Sequence, residues 1–317
     1  MSAAQGDREQ EEASGAAAVP LHFLLAGFSK CGTTTLHGLL NDHPEIYMPT
    51  YPRKEPWFFS HFYHRGWGGY AELFQGAYLG QRLGEASTSY STYSRETAAR
   101  RRILEHYPDI KLIFIARDPV DRIESAFREM HHSGANWGTS CPFSLERALR
   151  EVPALLADSA FSQRLHNYRR HVSPEQIKVV LLEELNERPD AILRELFDFL
   201  EVDSSVRIER SGRKLNAGLV KLRDSEELRK LRNVIWSPRT GEPLRQISPS
   251  VADQFLLPLG LRQRFTPDMI DWTEQASHAV VDALFEDSCD FLKSIGKPPE
   301  TWPRMCELAR RAGLSTP

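Results

Sequence analysis

The sequence predicts an α/β fold with a central, mainly parallel sheet flanked by helices. Three strand-length apolar runs, at 21–26, 111–116 and 177–182, point to it, as do the turn residues after the first two and the helical periodicity that follows. Leu21 to Ala26 reads LHFLLA and ends at Gly27, which suits a strand buried on both faces. A helix is expected over Thr33 to Leu40. Lys111 to Ala116 (KLIFIA) repeats the strand pattern, and Asp118-Pro119 then reads as helix N-cap and first helical residue. Val120, Ile123, Phe127 and Met130 follow on one helix face. Ile177 to Leu182 supplies a third strand, and Ala191 to Leu200 an amphipathic helix. Between these units Pro142 to Arg170 reads as largely helical. Gly212 to Thr266, with Pro238, Pro243, Pro249 and Pro258, reads as loops and short helices. A last helix is expected within Met269 to Leu292, and a loose tail after Gly296.

At about 150 residues per domain, 317 residues allow one elaborated domain or two small ones. Lys and Arg total 40 against 43 Asp and Glu, a net charge of -3, so no global field advertises nucleic acid or an anionic membrane. Any anion site must be local. Hydrophobic residues at 41% and charged residues at 26% are ordinary globular values, which excludes disordered and collagen-like classes. Cys31, Cys141, Cys289 and Cys306 are scattered without a CxxC pair and read as free thiols in a reducing compartment. Residues 1–20 lack the apolar core of a signal peptide and read as a disordered leader. No apolar run approaches the roughly 18 residues a membrane span needs. These readings together give a cytoplasmic expectation, with no nucleic-acid or membrane partner.

The first strand runs into Gly27-Phe28-Ser29-Lys30-Cys31-Gly32-Thr33-Thr34-Thr35. A glycine-containing strand-to-helix turn aims backbone N–H groups and the positive end of a helix dipole at one spot, where a phosphate is well held. The glycines have the spacing of GxxxxGK(S/T), but Thr33 stands where that motif has lysine, and the lysine has moved to Lys30. A lysine inside the loop suits a bridging oxygen beside a single 5′-phosphate better than a β/γ-phosphate with Mg²⁺. The second string is Arg117-Asp118-Pro119 through Ser125. Arg117 ends a buried strand, where parallel-sheet folds place ligand contacts, and offers a planar fork to a second phosphate; Ser125 adds a hydroxyl. Taken alone, Arg117 paired with Asp121 is an equally good reading.

Together these strings resemble the sulfotransferase family that uses 3′-phosphoadenosine 5′-phosphosulfate (PAPS). The 27–36 string is similar to that family's 5′-phosphosulfate loop, and Arg117 with Ser125 matches its RxxxxxxxS 3′-phosphate motif. Lys54-Glu55-Pro56-Trp57-Phe58-Phe59 is similar to the KEPHFF segment of the heparan-sulfate-type branch, and Gly84-Glu85-Ala86-Ser87-Thr88-Ser89-Tyr90 to its EKTPxY segment. Leu182 through Leu200 resembles the family's strand-helix unit ending in FL. The resemblance runs from Phe23 to about Leu200 and fades after Asn216.

It implies a P-loop-like three-layer fold and a single domain over 21–296. Residues 21–200 would form the cofactor-binding core, 201–296 an elaboration shaping the acceptor site, and 297–317 a tail. The implied reaction moves a sulfuryl group from PAPS to a hydroxyl of a carbohydrate or other small-molecule acceptor by in-line displacement. It leaves 3′-phosphoadenosine 5′-phosphate and requires no metal. Ser29, Lys30, Cys31, Gly32, Thr33, Thr34 and Thr35 would hold the 5′ end, Arg117 and Ser125 the 3′-phosphate, and Arg213 and Lys214 would come from a covering loop. Lys30 would stabilise the leaving group and Glu55 act as general base, partly desolvated beside Trp57, Phe58 and Phe59. Glu55 paired with Lys54 or Arg53 is the bland alternative. Trp57, where the branch has histidine, and His132 are candidate acceptor contacts. His61, His64, His131 and His132 are alternative bases, although adjacent residues such as 131 and 132 cannot share a helix face, and a solvated surface histidine is the default for each. Ala86 replaces the lysine of EKTPxY and so removes a second cation. Two other readings stay open: a P-loop kinase or NTPase, and a non-catalytic nucleotide-binding scaffold.

Overall fold

The computed structural model describes residues 18–50, 53–133, 141–209, 221–229 and 254–314. The strands are β1 (Phe23–Gly27), β2 (Ile46–Tyr47), β3 (Arg82–Ala86), β4 (Lys111–Ala116), β5 (Ile177–Leu181), β6 (Leu222–Asp224) and β7 (Arg262–Arg264). The α-helices are α1 (Thr33–Asn41), α2 (Trp67–Ala71), α3 (Glu96–His106), α4 (Pro119–Ser133), α5 (Leu145–Glu151), α6 (Ala154–Ala157), α7 (Phe161–Arg169), α8 (Leu182–Glu187), α9 (Pro189–Leu200), α10 (Glu274–Ser294) and α11 (Pro303–Arg311). β1 to β5 form one parallel sheet in the order β2-β3-β1-β4-β5, flanked by helices. The three apolar runs are therefore its three central-to-edge neighbours β1, β4 and β5, and the predicted helices at 33–40, 142–170, 191–200 and 269–292 all form. β6 and β7 make a separate antiparallel pair.

β3, β6 and β7 escaped the sequence reading for physical reasons. β3 reads RLGEA, with no apolar run, because Gly84 lies opposite Phe23 and a Cβ there would meet the Phe23 ring. β6 and β7 are only three residues each and carry Arg223, Arg262 and Arg264.

Both expected chain ends need correction. Val19 is buried and its carbonyl accepts from the Tyr107 hydroxyl, so the ordered chain starts before 21. The tail after Gly296 is not loose: Trp302, Met305, Leu308 and Ala309 are buried, and Trp302 stacks on Phe291. Asp118 explains how this end is fixed. One carboxylate oxygen accepts from the Val120 N–H and caps α4, as the sequence indicated; the other accepts from the N–H groups of Arg304 and Met305 and caps α11. Pro303 sits in the first turn of α11, where its missing donor costs nothing. The core thus continues through α10 and α11 to the loop after β1, whose Phe28 packs on Phe114, Phe161 and Phe291.

Candidate functional site

The strand order selects one crevice. From β1 the chain crosses to β2 on one side, and from β4 it crosses to β5 on the other, so β1 and β4 are neighbours with divergent connections. Ligands in open parallel sheets bind at such a switch point, beyond the carboxyl ends of the strands. The 27–35 loop and Arg117 both lie there. The Phe28 N–H donates to the Ile115 carbonyl at 2.8 Å, and the Lys30 carbonyl comes within 3.5 Å of an Arg117 Nη.

The loop is held from below. Arg122, only 3% exposed, donates to the Ser29 carbonyl, to the Ala154 and Leu155 carbonyls and to Ser159, and faces Asp158 at 3.6 Å. Nothing in the sequence pattern marks this guanidinium as a buried support of the loop. Gly32 is required on two counts. Its φ is +97°, and a Cβ would lie 2.6 Å from Leu182. Lys30 adopts φ 66° and Trp57 φ 52°, left-handed conformations that cost non-glycine residues of order 1 kcal/mol or more and that concentrate at functional sites.

No side chain caps the start of α1, so its first-turn N–H groups face the crevice without a helical partner. Lys30 Nζ lies 2.9 Å from Glu129 on α4, which also binds Lys221 at 2.6 Å. Arg117 pairs with Asp121 at 3.3 Å, the bland reading of that pair. Its Nε is nonetheless buried and finds no hydrogen-bond partner among the described residues. Ser125 is half-buried on α4. An uncapped helix start, a loop lysine and an arginine with an unspent donor fit a phosphorylated ligand.

The Glu55 turn closes the crevice on its β3 side. Phe58 and Phe59 are buried in an aromatic cluster with Tyr63, Trp67 and Tyr70, and Phe58 stacks on Tyr70 at 4.2 Å. Glu55 Oε2 accepts from the Trp57 indole at 3.0 Å and from the Thr88 hydroxyl and N–H at 3.0 and 3.3 Å. Oε1 lies 3.4 Å from Lys54 Nζ, so the anticipated Lys54 pairing does form, while Arg53 is exposed. Lys54 also donates to Thr34 at 3.2 Å, joining this turn to the start of α1. Behind it, the Trp57 N–H donates to Ser87, and Ser87 donates to Glu85 at 2.7 Å. The two sequence segments around Glu55 and Glu85 thus meet side by side.

Glu85 is fully buried and also accepts from Tyr90 and Tyr70; burial pushes its carboxyl up to about 7. A carboxyl raised above its ordinary 4.5 favours the folded state in its protonated form, a contribution complete below about pH 4.5 and lost as pH rises through 7. Denaturant titrations should therefore show the stability of the parent relative to Glu85→Gln falling across that window and level above it. A difference that is flat with pH would contradict this.

Several candidate residues fall elsewhere. The Cys31 side chain is buried with its thiol on the Ser29 carbonyl, and its N–H bonds to Phe28, so it does not face the crevice. Burial pushes that thiol up to about 12. Thr33 is buried at 5% exposure, leaving Thr34 as the exposed hydroxyl, with Thr35 half-buried. His132 is not an acceptor contact in this arrangement: its Nδ1 accepts from the Leu222 N–H and its carbonyl from Arg262, tying α4 to β6 and β7. His131 corrects the expectation of a solvated histidine. It is buried beside Phe127 and Arg229, and burial with the nearby Arg229 and Arg223 charges pushes it down to about 3. His61 and His64 are exposed; His61 lies 5.8 Å from the Trp57 ring. Arg213 and Lys214 lie outside the described residues.

The fold is that of an α/β protein with a parallel sheet and a crevice at its switch point. Residues 94–205, containing Arg117 and Ser125, match the family model described as "Sulfotransferase family". The chain is 30% identical over 185 residues to heparan sulfate glucosamine 3-O-sulfotransferase 3B1 of Mus musculus, covering 56% of this chain and 45% of that protein. It is 37% identical over 106 residues to heparan sulfate glucosamine 3-O-sulfotransferase 6 of Homo sapiens, covering 33% of this chain and 29% of that one. The chain thus spans less than half the length of these curated relatives. A sulfotransferase from Alicyclobacillus acidocaldarius superposes with a TM-score of 0.52 at 25% identity, over 71% of this chain and 94% of that one. The resemblance to the sulfotransferase family read from the sequence is borne out by these matches.

Proposed function

We propose that the protein is a PAPS-dependent sulfotransferase acting on a hydroxyl of a carbohydrate or other small-molecule acceptor. The observation that carries this reading is the convergence, at one switch point, of the uncapped α1 start, Lys30, Arg117 with its unspent Nε donor, and the Glu55 turn. The similarity to heparan sulfate 3-O-sulfotransferases supports a glycan hydroxyl as acceptor class.

In this reading the donor PAPS supplies a sulfuryl group bonded to a stable leaving phosphate. Backbone N–H groups at the start of α1 and the Thr34 hydroxyl bind its 5′ end, and Arg117 and Ser125 bind its 3′-phosphate. Lys30 exchanges Glu129 for the leaving oxygen and offsets the charge that develops there. Glu55, whose Oε2 is fixed by Trp57 and Thr88, takes the acceptor proton. We place the protein in the cytoplasm on the composition argument above.

The 3′-phosphate separates this reading from an ATP-using one, because ATP has none. Calorimetric titration should find adenosine 3′,5′-bisphosphate binding at least about tenfold tighter than adenosine 5′-monophosphate, the worth of one charge-assisted hydrogen-bonded contact. Equal affinity for the two nucleotides would remove Arg117 and Ser125 from the donor site.

A further inference from the structure

We propose that Lys54 is a catalytic residue whose ammonium contacts the transferring sulfuryl group itself. This rests on the donor reading above. The Lys54 side chain is 19% exposed, and its Nζ stands 3.2 Å from Thr34 Oγ1 at the start of α1 and 3.4 Å from Glu55 Oε1. An in-line displacement sets three centres in a row: the attacking oxygen beside its base, the sulfur, and the bridging oxygen beside the phosphate site. An ammonium within hydrogen-bond reach of both the base and the phosphate-site hydroxyl therefore lies beside the middle centre.

The other charges nearby are arranged consistently with this assignment. Lys30 is turned to Glu129, on the α4 side of the crevice, where it is placed to meet the leaving oxygen. On the β3 side, position 86 is a fully buried alanine and offers no cation. Burial and the neighbouring Lys30 charge lower the proton affinity of Lys54, with Glu55 compensating in part, so an added anion between them is favoured.

In the step so described, the acceptor O–H proton passes to the Glu55 carboxylate as the acceptor oxygen bonds to sulfur. The bond from sulfur to the bridging oxygen breaks, and its electron pair stays on the 5′-phosphate of the departing bisphosphate. Lys54 donates to non-bridging sulfuryl oxygens throughout, a contact that the bisphosphate product lacks.

PAPS and adenosine 3′,5′-bisphosphate differ only by that sulfuryl group, so calorimetric titration of both ligands isolates the contact without an acceptor. For Lys54→Met, PAPS affinity should fall about tenfold while bisphosphate affinity stays within about twofold. Lys54→Arg, which keeps the charge, should recover most of the loss. Loss of both affinities to the same extent, or of neither, in a variant as stable as the parent would overturn the assignment, leaving Lys54 as a simple ion-pair partner of Glu55. A parent that binds neither ligand would overturn the donor reading, and this assignment with it.

Discussion

Glu55→Gln is expected to lower turnover about 100- to 10,000-fold, the range that a positioned general base contributes. The substitution keeps the shape of the turn. Its amide oxygen can still accept from the Trp57 indole and the Thr88 hydroxyl, and Phe58 and Phe59 still anchor the backbone in the aromatic cluster. The proton acceptor alone is removed, so bisphosphate affinity should stay within about threefold of the parent. Steady-state rates with PAPS beside a calorimetric titration measure both quantities. Turnover within tenfold of the parent would transfer the base role to another group, with the exposed His61 beside Trp57 next in line.

Lys30→Ala should cost turnover about 100- to 1000-fold, as removal of a preorganised donor to developing charge does. The backbone at position 30 is already left-handed in a residue with a Cβ, so alanine adds no conformational strain there. Glu129 keeps its contact with Lys221, and the loop keeps its anchor through Arg122 and the Ser29 carbonyl. Loss of catalysis without loss of thermal stability is therefore the expected result. Turnover equal to the parent would reject Lys30 as the group that meets the leaving oxygen.

The parts of the fold that carry these predictions were unevenly legible in the sequence. β1 and β4 were readable because each is buried and nearly continuously apolar, β5 because four of its five residues are apolar although it is half-buried at the sheet edge, and Asp118-Pro119 marked the start of α4 to the residue. β3 was not, because its central place depends on Gly84 making room for Phe23 and on a buried glutamate held by two tyrosines and a serine. Such pairings are tertiary and leave no periodic trace. The C-terminal helix did carry a signal, with Trp302, Met305, Leu308 and Ala309 on one face. Pro303 opens that helix rather than breaking it.

The site was legible at the level of segments and less so at the level of side chains. Spacing located the loop, Arg117 and the Glu55 turn, and the sheet order brings them together. It could not show that Cys31 points into the core, that His132 is spent on β6, or that Lys54 bridges the turn to Thr34. Those facts depend on which way a side chain leaves its loop or helix, and residue type alone does not encode that direction.

Parallel incubation with labelled PAPS and with ATP and Mg²⁺, each with and without EDTA, over a panel of glycan and small hydroxyl acceptors, separates sulfuryl transfer from ATP chemistry. Label should pass from PAPS to an acceptor hydroxyl, with equimolar release of the 3′,5′-bisphosphate and no loss of rate with EDTA. Hydrolysis of ATP that EDTA abolishes, with no affinity for the bisphosphate, would contradict the sulfotransferase reading.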